Sequence, residues 1–121
     1  MAITIKNYTD LQSVLNALID VNGLPVGQAS HQAFWNTLSY DDFINGNVPG
    51  VPGPFKILQV GNASASNIIM ALSGTPGSPF DPNSGTIGQM PQPNPPYNSN
   101  TPAQSDVITA LSDWINQGCP N

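Results

Sequence analysis

The stretch Thr101–Cys119, TPAQSDVITALSDWINQGC, decides the fold of this chain. Its apolar residues recur at helical spacing and form one stripe, which consists of Val107, Ile108, Leu111, Trp114 and Ile115. The spacing predicts a C-terminal helix of about 16 residues and roughly 24 Å. Because it carries one of only two tryptophans, we expect it to be a main wall of the core.

The ends of this helix have their own signals. Thr101 predicts the N-cap, Pro102 the first helical position, and Gln104 the glutamine of a capping box. Gly118 can take the left-handed position after a helix, and Pro120 forbids continuation.

A second amphipathic helix is predicted over residues 9–20, near the start of the chain. Thr9 is its expected cap, and the helix is expected to end near Asn22-Gly23. Its apolar stripe consists of Leu11, Val14, Leu15, Leu18 and Ile19. Residues 2–7 alternate and predict a lead-in or a brief strand.

Shorter elements are predicted between these helices. Ser39 opens a capping box for a short helix over 39–46, and residues 55–60 look extended. A third helix is expected to be capped by Asn62 or Ser64 and to end at Gly74. Its inward residues are Ala65, Ile68, Ile69 and Leu72.

The segment Thr75–Asn100 contains seven prolines, which exclude regular structure over most of its length. A loop this long inside a compact domain usually has a function. Four spaced apolar residues can anchor it to a core: Phe80, Ile87, Met90 and Tyr97. We therefore predict one all-α domain over residues 1–121, with four or five short helices joined by long, ordered Pro/Gly-rich loops.

The charge inventory excludes several classes of partner. The chain has two lysines, seven aspartates, no arginine and no glutamate, for a net charge of −5. Binding to a nucleic-acid backbone or an anionic membrane surface needs several cations, so neither is expected. No apolar run approaches the ~20 residues of a membrane span. The start of the chain lacks a signal-peptide pattern, so the compartment is open: periplasmic or secreted if a signal was removed, cytoplasmic otherwise.

The chain offers few groups for catalysis. His31 is the only histidine, and Ser30 is its sequence neighbour rather than an evident spatial partner. Asp41 and Asp42 are adjacent at a helix start, where they suit capping. Asp81–Gly85 faintly resembles a calcium loop but supplies one carboxylate, so a turn is predicted. One histidine and the single Cys119 do not make a zinc site. We expect no enzyme activity and no catalytic residues.

One pair of residues stands out. A lone methionine such as Met90 is usually a core residue, but imidazole plus thioether is the ligand pair that holds iron in cytochromes c. The chain resembles a small bacterial cytochrome c domain. Residues 60–72 resemble the helix before its methionine loop, 89–91 its axial-methionine segment, and 106–120 its closing helix. The resemblance implies that His31 and Met90 occupy the positions of the haem ligands.

The chain departs from that family at the attachment motif. The family binds haem covalently through Cys-x-x-Cys-His after the first helix, whereas this chain reads Gly27-Gln28-Ala29-Ser30-His31. Neither glycine nor serine can form a thioether, so covalent attachment through this motif is chemically impossible.

Three interpretations follow. In the favoured one the fold persists without a cofactor, and the vacated pocket is filled by Phe34, Trp35, Phe43 and Phe55. The domain is then an accessory module that binds a protein partner through the surface around residues 75–100. In the second, His31 and Met90 hold a non-covalent haem in an electron-transfer protein. In the third, the same two residues bind copper in an accessory protein.

Overall fold

The computed structural model describes residues 3–24, 33–50, 55–83, 85, 87–91 and 96–121. Five α-helices follow one another along the chain: α1 Tyr8–Asn22, α2 Phe34–Thr37, α3 Tyr40–Asn45, α4 Asn67–Ser73 and α5 Gln104–Asn116. A 3₁₀ turn, Ala63–Ala65, precedes α4. Within those described ranges there is no strand, only an isolated antiparallel bridge between Asn47 and Lys56. The all-α prediction is therefore confirmed, and the extended segments predicted at 2–7 and 55–60 do not form strands where they are described.

The C-terminal helix is the central element, as its stripe predicts. α5 packs against α1, α4 and the 3₁₀ turn. Its buried face includes Val107, Leu111, Trp114 and Ile115, each with no exposed surface. The Trp114 indole N–H donates to the Pro120 carbonyl at 2.8 Å, and this hydrogen bond holds residue 120 against the buried face of α5.

The predicted start of α5 is wrong by two residues. The helix begins at Gln104, and neither Thr101 nor Pro102 belongs to it. The first free amides already have partners from the preceding loop: the Gln104 N–H donates to the Tyr97 carbonyl, and the Ser105 N–H to Asn98 Oδ1, both at 2.8 Å. An external cap of this kind leaves no role for a threonine at the helix start.

The cap of α1 also differs from the prediction. Asn7, not Thr9, is the N-cap, since its side chain accepts from the Asp10 N–H at 2.8 Å. Asn7 has the extended backbone that an N-cap requires, whereas Thr9 already lies in the first turn. The helix ends as predicted, with Gly23 in the left-handed region at φ 60°.

The middle helices follow the predictions more closely. Ser39 caps α3 by accepting from the Asp42 N–H at 3.2 Å, and Gly74 ends α4 in the left-handed region. Neither Asn62 nor Ser64 caps α4, because the 3₁₀ turn intervenes and Ser66 is the residue before the helix. Of the residues predicted to face inward, Ile69 and Leu72 are buried and Ile68 is half-buried, but Ala65 is exposed.

No helix in the described part of the chain combines the length and apolar character needed to cross a bilayer.

Candidate functional site

The first residue of α5 organises the region around the predicted methionine ligand. Gln104 is fully buried, and its side-chain oxygen accepts from the Tyr97 N–H at 2.8 Å. Its amide nitrogen donates to the carbonyls of Leu72 and Met90, both at 2.8 Å. One carboxamide therefore joins the end of α4, the methionine segment and the chain before α5. Instead of forming the predicted capping box, this side chain connects three segments.

Met90 is held by its backbone on both sides. Its N–H donates to the Ala71 carbonyl at 2.8 Å, and its carbonyl accepts from Gln104. The neighbouring Gln89 donates from its side chain to the Leu72 carbonyl at 2.9 Å and lies against Gly74, where an added Cβ would come within 2.9 Å of its amide carbon. The methionine itself is half-buried, in a segment fixed against α4 and α5.

The other predicted ligand, His31, lies outside the described residues, as do Gly27, Gln28, Ala29 and Ser30. The structure therefore gives no distance between His31 and Met90. Within the described ranges, no three side chains of His, Cys, Asp or Glu are grouped so that they could hold a metal ion together.

Aromatic rings occupy the interior between α1, α2, α3 and α5. Phe43 has no exposed surface, and its ring centroid lies 5.1 Å from Tyr8, 5.9 Å from Phe34 and 6.5 Å from Trp114. Phe34 also meets Trp35 edge-on, with centroids 5.4 Å apart. These are ordinary contact distances for aromatic pairs. Tyr40 meets Tyr8 edge-on, with centroids 6.0 Å apart. The rings form one continuous aromatic cluster, consisting of Tyr8, Phe34, Trp35, Tyr40, Phe43 and Trp114.

Phe55 does not join this cluster, contrary to the prediction that it helps to fill the same pocket. Its ring lies 6.1 Å from that of Phe80, and Phe55 is only half-buried. Phe55 directly precedes Lys56, which forms the isolated bridge with Asn47, and its carbonyl accepts from the Val48 N–H at 2.8 Å. Phe80 is buried, but it lies outside the main core cluster, whereas Tyr97, another of the predicted anchors, packs against that cluster.

Polar groups fix α2 on α1 at the edge of the aromatic cluster. The Tyr8 hydroxyl oxygen lies within hydrogen-bonding distance of two carbonyl oxygens, that of Trp35 at 2.8 Å and that of Leu38 at 2.9 Å, and its one proton serves one of them at a time. The Gln12 amide donates to the same Trp35 carbonyl at 2.7 Å. The Trp35 indole N–H donates to Asn16 Oδ1 at 2.8 Å. Burial raises the pKa of Tyr8 to about 12, against a smaller opposing effect of its hydrogen bond with Gln12.

The Pro-rich loop is ordered around Asp81 where it is described. The Asp81 carboxylate accepts from the N–H groups of Gly77 and Asn83, at 3.0 and 2.9 Å, and the Asp81 carbonyl accepts from the Gly85 N–H at 2.8 Å. At Gly85 an added Cβ would lie 2.3 Å from the Pro79 carbonyl oxygen, so the turn has no room for a side chain at this position. The carboxylate thus serves the turn that the sequence predicts at Asp81–Gly85.

Cys119 is a buried thiol at the end of the chain. Burial raises its pKa to about 11, which keeps it in the weakly reactive thiol form at neutral pH. The Tyr40 hydroxyl donates to its carbonyl.

Comparison of the chain with protein-family models, with curated proteins and with solved structures finds no match.

The feature that sequence reasoning missed is the role of Gln104. A signal for it exists, because Gln104 lies three residues before Val107 and seven before Leu111, on the apolar stripe of α5. A polar residue at a buried position of a helix must find hydrogen-bond partners inside the protein. The sequence does not reveal which partners these are, since they come from three separate segments.

Proposed function

We propose that this chain is a cytochrome c-like domain without haem, and that it works as a non-catalytic binding or accessory module for a protein partner. The observation that carries the proposal is the aromatic cluster. Phe34 and Trp35 lie only three and four residues after His31, yet both rings are buried against α1 and α3.

A porphyrin bound beside His31 would need apolar surface in the same neighbourhood. Among the residues that the structure describes, the aromatic rings that follow His31 in sequence are already packed, since Phe34 and Trp35 are buried and Phe43, with 0% exposure, contacts three other rings. Admitting a large planar group there would separate rings that now pack in contact, at a cost of several kcal/mol for each buried aromatic side chain displaced. The described packing therefore supports the haem-free interpretation over the electron carrier.

The surface proposed for the partner is the outer side of the Pro-rich loop. From Thr75 to Ser105 the sequence has one charged residue, Asp81, and its carboxylate is buried in the turn. Cores of protein–protein interfaces are depleted of charge. The part of the loop around Asp81 is fixed by its own hydrogen bonds, so it would lose little conformational entropy on binding. Both properties suit a surface that recognises another protein.

One observation favours the electron carrier as a second candidate. The backbone of Met90 is fixed at both its N–H and its carbonyl, which is the rigidity that a ligand to an iron needs. In that case His31 and Met90 would hold the haem, and the haem would supply the redox chemistry.

A haemin titration separates the two candidates. The proposal predicts no stoichiometric haemin binding, and spectra of His31→Ala and Met90→Ala that match the wild type. A sharp Soret band that saturates at one haemin per chain, and that is lost in both variants but kept in the control Met70→Ala, would overturn the proposal. Metal analysis of the same purified protein tests the copper interpretation.

A further inference from the structure

A surface groove of about 350 Å³ lies between α3, the segment 56–60 and the region from the 3₁₀ turn to α4. Eight residues line it: Ile44, Asn45, Lys56, Leu58, Gln59, Val60, Ala65 and Asn67. Its volume is within the range of sites that take small ligands or a few side chains of a peptide. None of its residues belongs to the Pro-rich loop or to the predicted ligand pair.

The apolar part of the groove is unusually accessible for this chain. Leu58 is buried and Ile44 is half-buried, whereas Val60 is 47% exposed. In the described part of the chain only one other large apolar side chain, Val21, is exposed. The exposed Val60 and the half-buried Ile44 give an apolar partner side chain a surface on which to pack.

The charge of the groove is opposite to that of the protein. Lys56 is one of two lysines in a chain with a net charge of −5, and none of the seven aspartates lines the groove. The nearest carboxylates in sequence, Asp41 and Asp42, lie on the preceding turn of α3 and belong to the start of that helix. The other lining polar groups are amides, so a partner carboxylate would meet one cation and neutral donors.

The groove is held rigid from two sides. On one side the Val48 N–H donates to the Phe55 carbonyl at 2.8 Å and the Ile57 N–H to the Gly46 carbonyl at 3.2 Å. On the other, the Ile68 N–H donates to the Ile57 carbonyl at 2.9 Å. The Asn67 amide reaches the Lys56 carbonyl at 2.7 Å. Peptide binding here would therefore cost little conformational entropy in the groove itself.

We propose that this groove binds a short peptide segment of the partner in which an Asp or Glu carboxylate flanks an apolar side chain. The carboxylate pairs with Lys56, and the apolar side chain packs on Val60 and Ile44. The inference rests on the proposed function in one respect, that the partner is a protein.

A peptide array tests the proposal with the purified full chain. Each peptide carries a Val-Leu pair flanked by Asp, by Asn or by Lys, and the array is probed with wild type, Lys56→Gln and Val60→Ser. The controls are Lys6→Gln and Val21→Ser, which change the other lysine and the other exposed apolar side chain. All four altered side chains are exposed, so the variants are expected to fold, and circular dichroism checks this.

We expect the wild type to prefer the Asp-flanked peptides about two- to fivefold over the Asn-flanked ones, the range of an exposed ion pair. Lys56→Gln should lose this preference and Val60→Ser should weaken binding to every peptide, while both controls match the wild type. The preference should fall as ionic strength rises from about 0.1 M to 1 M, where the Debye length shrinks from about 10 Å to 3 Å.

Absence of binding to any peptide, equal binding to Asp and Asn peptides, or an equal loss in Lys6→Gln would overturn the proposal. A chain that binds haemin would refute the proposed function but leave the array result readable, because no groove residue belongs to the predicted haem ligands.

Discussion

Replacing Gln104 by leucine should destabilise the protein by about 2–3 kcal/mol, through the loss of partners rather than of volume. The substitution removes three hydrogen bonds at a site with 0% exposure. The Leu72 carbonyl keeps a second donor, the Gln89 amide at 2.9 Å. The Tyr97 N–H and the Met90 carbonyl lose this partner, at about 1–3 kcal/mol each, and the buried leucine offsets roughly 1–2 kcal/mol of that.

The matched control is Gln89→Leu. It removes one hydrogen bond from a half-buried side chain, and the Leu72 carbonyl still accepts from Gln104, so we expect a loss of about 1 kcal/mol or less. The double variant leaves the Leu72 carbonyl without either donor. Its loss should therefore exceed the sum of the single losses by about 1 kcal/mol.

Urea unfolding followed by tryptophan fluorescence measures these free energies, since the fully buried Trp114 reports the core. Amide hydrogen exchange adds a local test, because protection at Tyr97 should fall in Gln104→Leu before protection in α5 does. Equal losses in Gln104→Leu and Gln89→Leu, or strict additivity in the double variant, would refute the role assigned to Gln104.

Three further predictions concern other parts of the fold. Trp114→Ala should cost about 3–5 kcal/mol in urea unfolding, as for other buried aromatic truncations; a change within error would show that Trp114 is not a core residue. Ser39→Ala should cost about 1 kcal/mol, because α3 loses its side-chain cap, whereas the exposed Ser64→Ala should stay within about 0.5 kcal/mol. Burial raises the folded-state pKa of Tyr8 to about 12 and that of Cys119 to about 11, so the folded state holds protons that the unfolded state releases, and stability should fall as pH rises from about 9 to 12. In Tyr8→Phe the loss of unfolding free energy above about pH 11 should disappear, whereas the loss at lower pH, which Cys119 causes, should remain. A pH dependence of the unfolding free energy equal to that of the wild type would contradict the raised pKa of Tyr8.

The elements that the sequence predicted correctly are those whose signals are local. The stripe from Val107 to Ile115 is repeated over several turns, and it identifies both α5 and its buried face. Ser39 and Gly74 act within one turn of their own helices, so cap chemistry alone identifies them.

The wrong predictions concern hydrogen bonds to residues outside the helix, or helix ends for which the sequence offers two candidate caps. Thr101 has the chemistry of a cap, but Tyr97 and Asn98 supply acceptors to the first amides of α5, and the helix starts later. At α1 two good caps compete, and Asn7 rather than Thr9 has the required backbone. Two of the three side-chain hydrogen bonds of Gln104, to the carbonyls of Leu72 and Met90, reach segments more than ten residues away, and no local pattern encodes them.

The most direct test of the haem-free proposal is the absorption spectrum of the full chain, produced in a host that supplies haem and purified without reduction or added haemin. We expect an aromatic band alone, with no Soret band and far less iron than one atom per chain. A red protein with a sharp Soret band and iron equimolar to chain would contradict the proposal and would establish the electron carrier in its place.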